Sequence, residues 1–326
     1  MRPVRSMRSL RARWGLGLIV AAVGIHGCNG ANNAEVAPDP WEEACNTLSP
    51  VDVDARDATM TGALVKVTGA GGRPDVSLPV EVIDWLEEHG MQALHLNWHN
   101  VRFVDQNCGH SNATPDDCPF LATLINKDGL FRADKQQGAP GNSIEFLAMH
   151  RRMIQELRQA FPAHASLFAG FAHVPLTASD PENLTPEHPI TWTPVQLKVI
   201  DTLDHIESHL DQFPTEDDLG FYMQAIVRWT TDNPTAPIGD DATIGQIHGA
   251  LHGQWAVAGS PVVLGAGVAV QINNASFWKL HGWLDNIWQR YRVARGLHDT
   301  DTDYVQLLVA QCKEMHRLDV SGNDAH

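Results

Sequence analysis

Apolar residues recur at helical spacing over most of the chain after Pro79, and stretches rich in Asn, Asp, Gly and Pro interrupt them. "VEVIDWLEEHG" predicts a short amphipathic helix that stops at Gly90. "MQALHLNWHNVRFVD" continues as a second helix. Residues 105–140 hold so many turn formers that they read as a long loop or insertion. "NSIEFLAMHRRMIQELRQAF" predicts a strong helix capped by Asn142 or Ser143 and stopped at Pro162. After a proline-rich loop to Pro194, helices are expected in "VQLKVIDTLDHIESHLDQF" and in "TEDDLGFYMQAIVRWT", the latter with a Thr cap and three acids in its first turn. "ATIGQIHGALHGQWAV" is expected to be helical despite its glycines. "ASFWKLHGWLDNIWQRYRVAR" is a long amphipathic helix with Phe277, Leu284 and Trp288 on its apolar side, and a last helix runs over about 301–317. Only residues 50–75, which alternate weakly and contain glycines, suggest a hairpin or edge strands. The expected fold class is therefore mainly α, with long loops and a minor β element near the N-terminus.

The first thirty residues differ in kind. Five arginines and no acid precede the apolar run Gly15–Ile25, then a small residue and Cys28. This is the pattern of a secretory signal, and the run is short for a membrane span. "IHGC" resembles a bacterial lipoprotein signal, which implies lipidation of Cys28; an ordinary cleaved signal or an uncleaved anchor are the alternatives. "NGANNAEVAPDP" reads as a flexible tether. The expected organisation is a signal over 1–28, a linker over 29–44 and one domain over 45–326, placed in the cell envelope. The formal charge of −16 becomes −21 with the five leader arginines set aside, which argues against a nucleic-acid partner.

Four cysteines follow Cys28, an even number that in an exported chain suggests two disulfides. Cys108 with Cys118 would close a short loop, and Cys45 with Cys312 would join the ends of the domain. The other pairings stay open. Cys108 also stands in "CGH", a Cys-x-His spacing that carries a thioether cross-link in some copper enzymes.

The chemistry lies in the histidines, 17 in 326 residues. Chance placement gives about one His-x-x-x-His pair in such a chain, and there are three: His95/His99, His205/His209 and His248/His252. His205/His209 is flanked by acids and reads as a solvated face. The other two pairs each have a later single histidine on another predicted helix, His150 and His281. Two such half-sites could face each other across a binuclear metal centre in a four-helix core formed by 91–104, 142–160, 243–258 and 276–295. Imidazole suits copper, zinc and iron alike. The residues after the first histidine of each pair, Leu96 and Gly249, are not the Glu that a zinc-peptidase signature requires.

At these residues the chain resembles the type-3 copper proteins: tyrosinases, catechol oxidases, phenoloxidases and haemocyanins. "SFWKLHGWLDNIWQRY" looks like the family's second-copper helix, with Phe277 four before His281 and Asp285 four after it. "IHGALHGQW" resembles the helix that carries the other two ligands of that copper. "EFLAMHRRM" is similar to the segment holding the third ligand of the first copper, and "HLNWH" to the His-x-x-Trp-His pair of arthropod haemocyanins and phenoloxidases. The resemblance spans about residues 90–300. It implies a four-helix-bundle core around two copper ions, held by His95, His99, His150, His248, His252 and His281, with His110 as an alternative to His95. Arg151, Asp285 and Phe277 would support the ligands. It further implies an oxidase that uses O2 on a phenolic or catecholic substrate.

The chain departs from the family pattern at Leu280, where a histidine is usual, and at Gly249, where Asn is common. For the usual upstream Glu it offers only Asp240 or Asp241. These departures bear on phenol hydroxylation rather than on copper binding. The rival expectations are a copper- or O2-binding protein without turnover and a degenerate interaction module. His164, His173 and His188 are candidates for lining an entrance, and Asn273 and Asn274 for shaping a pocket rim.

Overall fold

The computed structural model describes residues 45, 64–111, 113–185, 207–224, 247–265 and 269–318. The expected leader with Cys28, the expected tether, residues 50–63 and His188, His205, Asp240 and Asp241 lie outside the described residues.

The described chain is mainly helical with a small two-stranded sheet near its start. Strands β1 (Val65–Thr68) and β2 (Pro74–Ser77) pair antiparallel, Val65 opposite Ser77 and Thr68 opposite Pro74. Gly71 and Gly72 turn the chain between them at φ +68° and +76°, a conformation that costs glycine little. Helix α1 (Val80–Glu88) buries Val82 and Leu86. It is followed at Gly90, in the left-handed region, by α2 (Met91–Arg102). Met91, Leu94, His95, Trp98, Val101 and Arg102 are the buried residues of α2, so one three–four stripe carries both core and chemistry.

Residues 105–140 are not a plain loop. They contain the end of α3 (Val104–Cys108) and all of α4 (Pro119–Asn126). Composition hid α4 because its start signal is unusual: the Cys118 sulfur accepts from the Leu121 amide at 3.5 Å, and Pro119 occupies the first turn. Leu121 and Leu124 then bury one face.

Helix α5 (Asn142–Ala160) is buried at every position from Phe146 to Gln155, including Arg151 and Arg152, which marks it as the central element. Its cap corrects the expectation of Asn142 or Ser143. Gly141 holds the cap position, and Asp217 reaches across to accept from the Gly141 and Ile144 amides at 2.7 and 2.9 Å. Asp217 lies on α6 (Glu216–Gln224), whose own start has the expected Thr cap. There Thr215 Oγ1 accepts from the Asp218 amide at 3.1 Å, and Asp218 accepts from the Thr215 amide at 3.0 Å.

Helices α7 (Ile247–Gln254), α8 (Ala275–Ala294) and α9 (Thr302–Arg317) complete the described elements. Of the helix expected over 195–213, residues before 207 lie outside the description, and Leu210–Gln212 form a 3-10 turn. Helix α5 packs against α6, α8 and α9; α9 also packs on α2, and α7 on α6. Trp98, Trp278, Trp283 and Trp288 are all fully buried in this core.

Two disulfides join Cys45 to Cys312 and Cys108 to Cys118. The second occupies the Cys108 sulfur and so replaces the thioether expectation.

Candidate metal centre

Helix α8 is held at both its start and its middle. Asn274 caps it, accepting from the Ser276 amide at 2.8 Å, and donates to Asp75 Oδ1 and the Val262 carbonyl at 2.9 and 2.8 Å. The Leu78 amide donates to the Asn273 carbonyl at 2.9 Å, which ties the sheet to the same point. Asn273 and Asn274 are therefore buried scaffold rather than a pocket rim. Farther along, the 3-10 segment Pro162–Phe168 leads into Gly170, whose backbone lies directly on Gly282. A Cβ on either glycine would overlap the other's backbone. The Phe171 amide donates to the Lys279 carbonyl at 2.9 Å, and Lys279 Nζ donates to the Gly170 carbonyl at 2.6 Å. These contacts bracket His281, which is completely buried.

The ring nitrogens of six histidines converge between α2, α5, α7 and α8. His95, His99 and His150 present nitrogens that all lie within 4.8 Å of one another, and so do His150, His248 and His281. His252 joins through His248, Nε2 to Nε2 at 2.9 Å, the same distance that separates His248 from His281. His150 and His95 approach Nε2 to Nε2 at 3.3 Å. All but the half-buried His99 are buried.

Two of the rings have their tautomer set by the helix itself. His150 Nδ1 lies 2.8 Å from the Phe146 carbonyl, and His281 Nδ1 lies 2.7 Å from the Phe277 carbonyl. A carbonyl only accepts, so each Nδ1 carries the proton and each Nε2 turns a lone pair inward. Gln271 Nε2 lies 3.4 Å from His95 Nδ1 and donates to it, which leaves the His95 proton on Nε2, facing His150 Nε2 at 3.3 Å. His252 Nδ1 is buried with no hydrogen-bond partner among the described residues. The inward Nε2 lone pairs of His150 and His281 can accept a proton from a neighbouring ring or bind a cation.

Burial is the main cause that holds these imidazoles neutral. It pushes His95, His99, His248 and His281 well below the ordinary 6.5, and the neighbouring imidazoles push them further. His252 falls to about 4 by burial, and His150 to about 3 even though its bond to the Phe146 carbonyl opposes the shift. Neutral imidazole is the form that binds a metal.

Aromatic rings pack the cluster from both sides. Phe277 stacks on His281 at 3.9 Å between centroids and meets His95 edge-on at 5.0 Å. Phe146 packs on His150 at 4.5 Å and His248 at 5.0 Å. Sequence reasoning singled out Phe277 but gave Phe146 no role. The signal was present: Phe146 stands four before His150 as Phe277 stands four before His281. Gln271 had no such signal, because it comes from a 3-10 turn (Ala269–Asn273) distant in sequence from α2.

Arg151 and Asp285 form a buried ion pair between α5 and α8, each beside a clustered histidine. Arg151 also donates to Tyr304 at 2.7 Å and lies over Trp288. His110 is not in the cluster. It lies at the surface, 4.0 Å from Asp117. His164 and His173 engage the carboxylates of Glu81 and Asp180 at 3.1 and 3.0 Å, and His209 is exposed.

The described residues thus define a helical protein with a buried histidine cluster whose groups could hold metal ions. No family model matches the chain, and no curated protein or solved structure matches it either. No helix among the described residues is long and apolar enough to cross a membrane.

Proposed function

We propose that this chain is an exported dicopper oxidase acting on phenolic or catecholic substrates with O2 as co-substrate, tethered to the envelope through a lipidated Cys28. The observation that carries the reading is the convergence of six imidazoles, with no carboxylate in either three-histidine group. An all-imidazole donor set suits copper and disfavours magnesium or calcium. In this reading α2, α5, α7 and α8 are the four-helix core. His95, His99 and His150 hold one ion, and His248, His252 and His281 hold the other. When bound, the copper pair supplies the redox chemistry with O2.

The remaining work falls to the chain. Phe146 and Phe277 fix the His150 and His281 tautomers through their carbonyls, so that both Nε2 lone pairs point inward before any ion arrives. Burial keeps the rings unprotonated, and the Phe146 and Phe277 rings keep water from the centre. His99 is the one partly exposed member, so the α2 side is where an aromatic substrate would approach. Gly249 leaves the position after His248 without a side chain to take a phenol proton, which favours catechol over monophenol chemistry.

The test is metal analysis of copper-reconstituted protein, its near-ultraviolet spectrum on adding hydrogen peroxide, and O2 uptake with a catechol. Two coppers per chain, an intense new band and catechol-dependent O2 consumption are expected. One copper or none sinks the dicopper reading. Two coppers without O2 consumption would leave a copper-binding protein without turnover.

A further inference from the structure

A second group of metal-ligating atoms lies apart from the six-histidine cluster. The Cys45 and Cys312 sulfurs and a His316 ring nitrogen all fall within 4.8 Å of one another. Cys312 and His316 are four apart on α9 and so share a face of that helix. Both cysteines are buried, while His316 is half-buried and gives the group an edge toward solvent.

Arg152 is aimed into the same place. It is 2% exposed, and its Nη2 lies 3.1 Å from the Cys312 sulfur. Its one carboxylate contact is to Glu156 at 3.2 Å, from that same nitrogen. Its Nε and Nη1 are buried with no hydrogen-bond partner among the described residues. A neutral disulfide is a poor acceptor and gives a buried guanidinium little in return. A thiolate gives it a charge to bind, and a neighbouring cation is what makes a thiol ionise readily.

We infer that, on reduction of the Cys45–Cys312 disulfide, Cys45, Cys312 and His316 become a three-coordinate site for a soft monovalent cation, copper(I). A phosphine gives the disulfide two electrons and becomes its oxide with the oxygen of one water, whose two protons go to the sulfurs, while a dithiol gives two electrons and two protons and becomes a disulfide; either way the S–S bond becomes two thiols. Copper(I) then displaces both thiol protons to solvent, and His316 adds a lone pair to the two thiolates. Thiolate ligands select copper(I) by softness. Structural zinc wants four protein ligands, and no fourth His, Cys, Asp or Glu joins this group among the described residues. Arg152 contacts sulfur without being a ligand and offsets charge on the thiolates.

The experiment uses the full chain with any free thiols alkylated beforehand. Copper(I) binding is measured by competition with bicinchoninate, before and after reduction with a phosphine. The histidine cluster is common to both states, so the difference reads the sulfur site. Reduction is expected to add one copper(I) per chain, with near-ultraviolet thiolate-to-copper absorption. The gain should persist in Cys108→Ser/Cys118→Ser. His316→Ala retains the disulfide and should weaken the added site by about tenfold or more, since even outer contacts to a metal ligand are worth that much. The inference is overturned if reduction adds no copper(I), if the gain disappears with Cys108 and Cys118, or if His316→Ala binds as tightly as the parent chain.

Discussion

The rings of His150 and His281 lie face to face, 4.2 Å between centroids and 20° from parallel, although one comes from α5 and the other from α8. The two three-histidine groups are thereby a single cluster. His150 belongs to both sets of nitrogens that lie within 4.8 Å of one another.

That shared position makes substitutions unequal. His150→Ala is expected to remove the copper held with His95 and His99 and also to weaken the copper held by His248, His252 and His281, because the His150 ring stacks on His281. His99→Ala should retain the copper held by His248, His252 and His281. Metal analysis after dialysis against a weak chelator separates them. Equal losses in the two variants would mean that the stacking of His150 on His281 does not support the second ion.

The metal-free chain should lose stability as pH falls below about 6.5. The clustered histidines titrate near 6.5 when unfolded but are held lower in the fold, His252 to about 4 and His150 to about 3. Below 6.5 the unfolded chain therefore binds more protons. Stability is complete above that pH and declines toward the folded values, by about 1.4 kcal/mol per pH unit for each histidine. Urea midpoints at pH 7.5, 6 and 5 test this. A flat profile would mean that the rings are solvated.

Breaking the Arg151–Asp285 pair on one side should be costly. Asp285→Asn leaves the fully buried Arg151 without its counter-charge, and such losses run to about 3–5 kcal/mol. The double change Arg151→Met/Asp285→Leu should recover much of that. A denaturation cycle over the four chains measures the coupling, and additive losses would show that the pair is not coupled.

Two glycines beside clustered histidines should respond oppositely. Gly282→Ala drives a methyl into the Gly170 backbone and should cost about 1–3 kcal/mol or more while shifting His281. Gly253, next to His252 on α7, has nothing within 4 Å of a built Cβ. Gly253→Ala should be neutral or stabilising by up to about 1 kcal/mol. Thermal melts of both, with copper titration of Gly282→Ala, test the contrast.

Much of this was legible in residue order because helices are local. The three–four stripe of Met91, Leu94, His95 and Trp98 announces both a helix and the face it buries. The same spacing marks His248 with His252, and the parity of the cysteines marks the two disulfides now seen. Local pattern failed where a partner distant in sequence supplies the missing group. The cap of α5 is Asp217 from α6, and Gln271 faces His95 from a turn that no spacing rule connects to it. Whether His95 or His110 lies with His99 and His150 was likewise undecidable from spacing. Both stand close to the same segment, and only the packing of α2 turns one ring inward and leaves the other beside Asp117 at the surface. A helix reports its own faces every three to four residues. Which faces meet, and which lone pairs converge, depends on how the helices pack against one another.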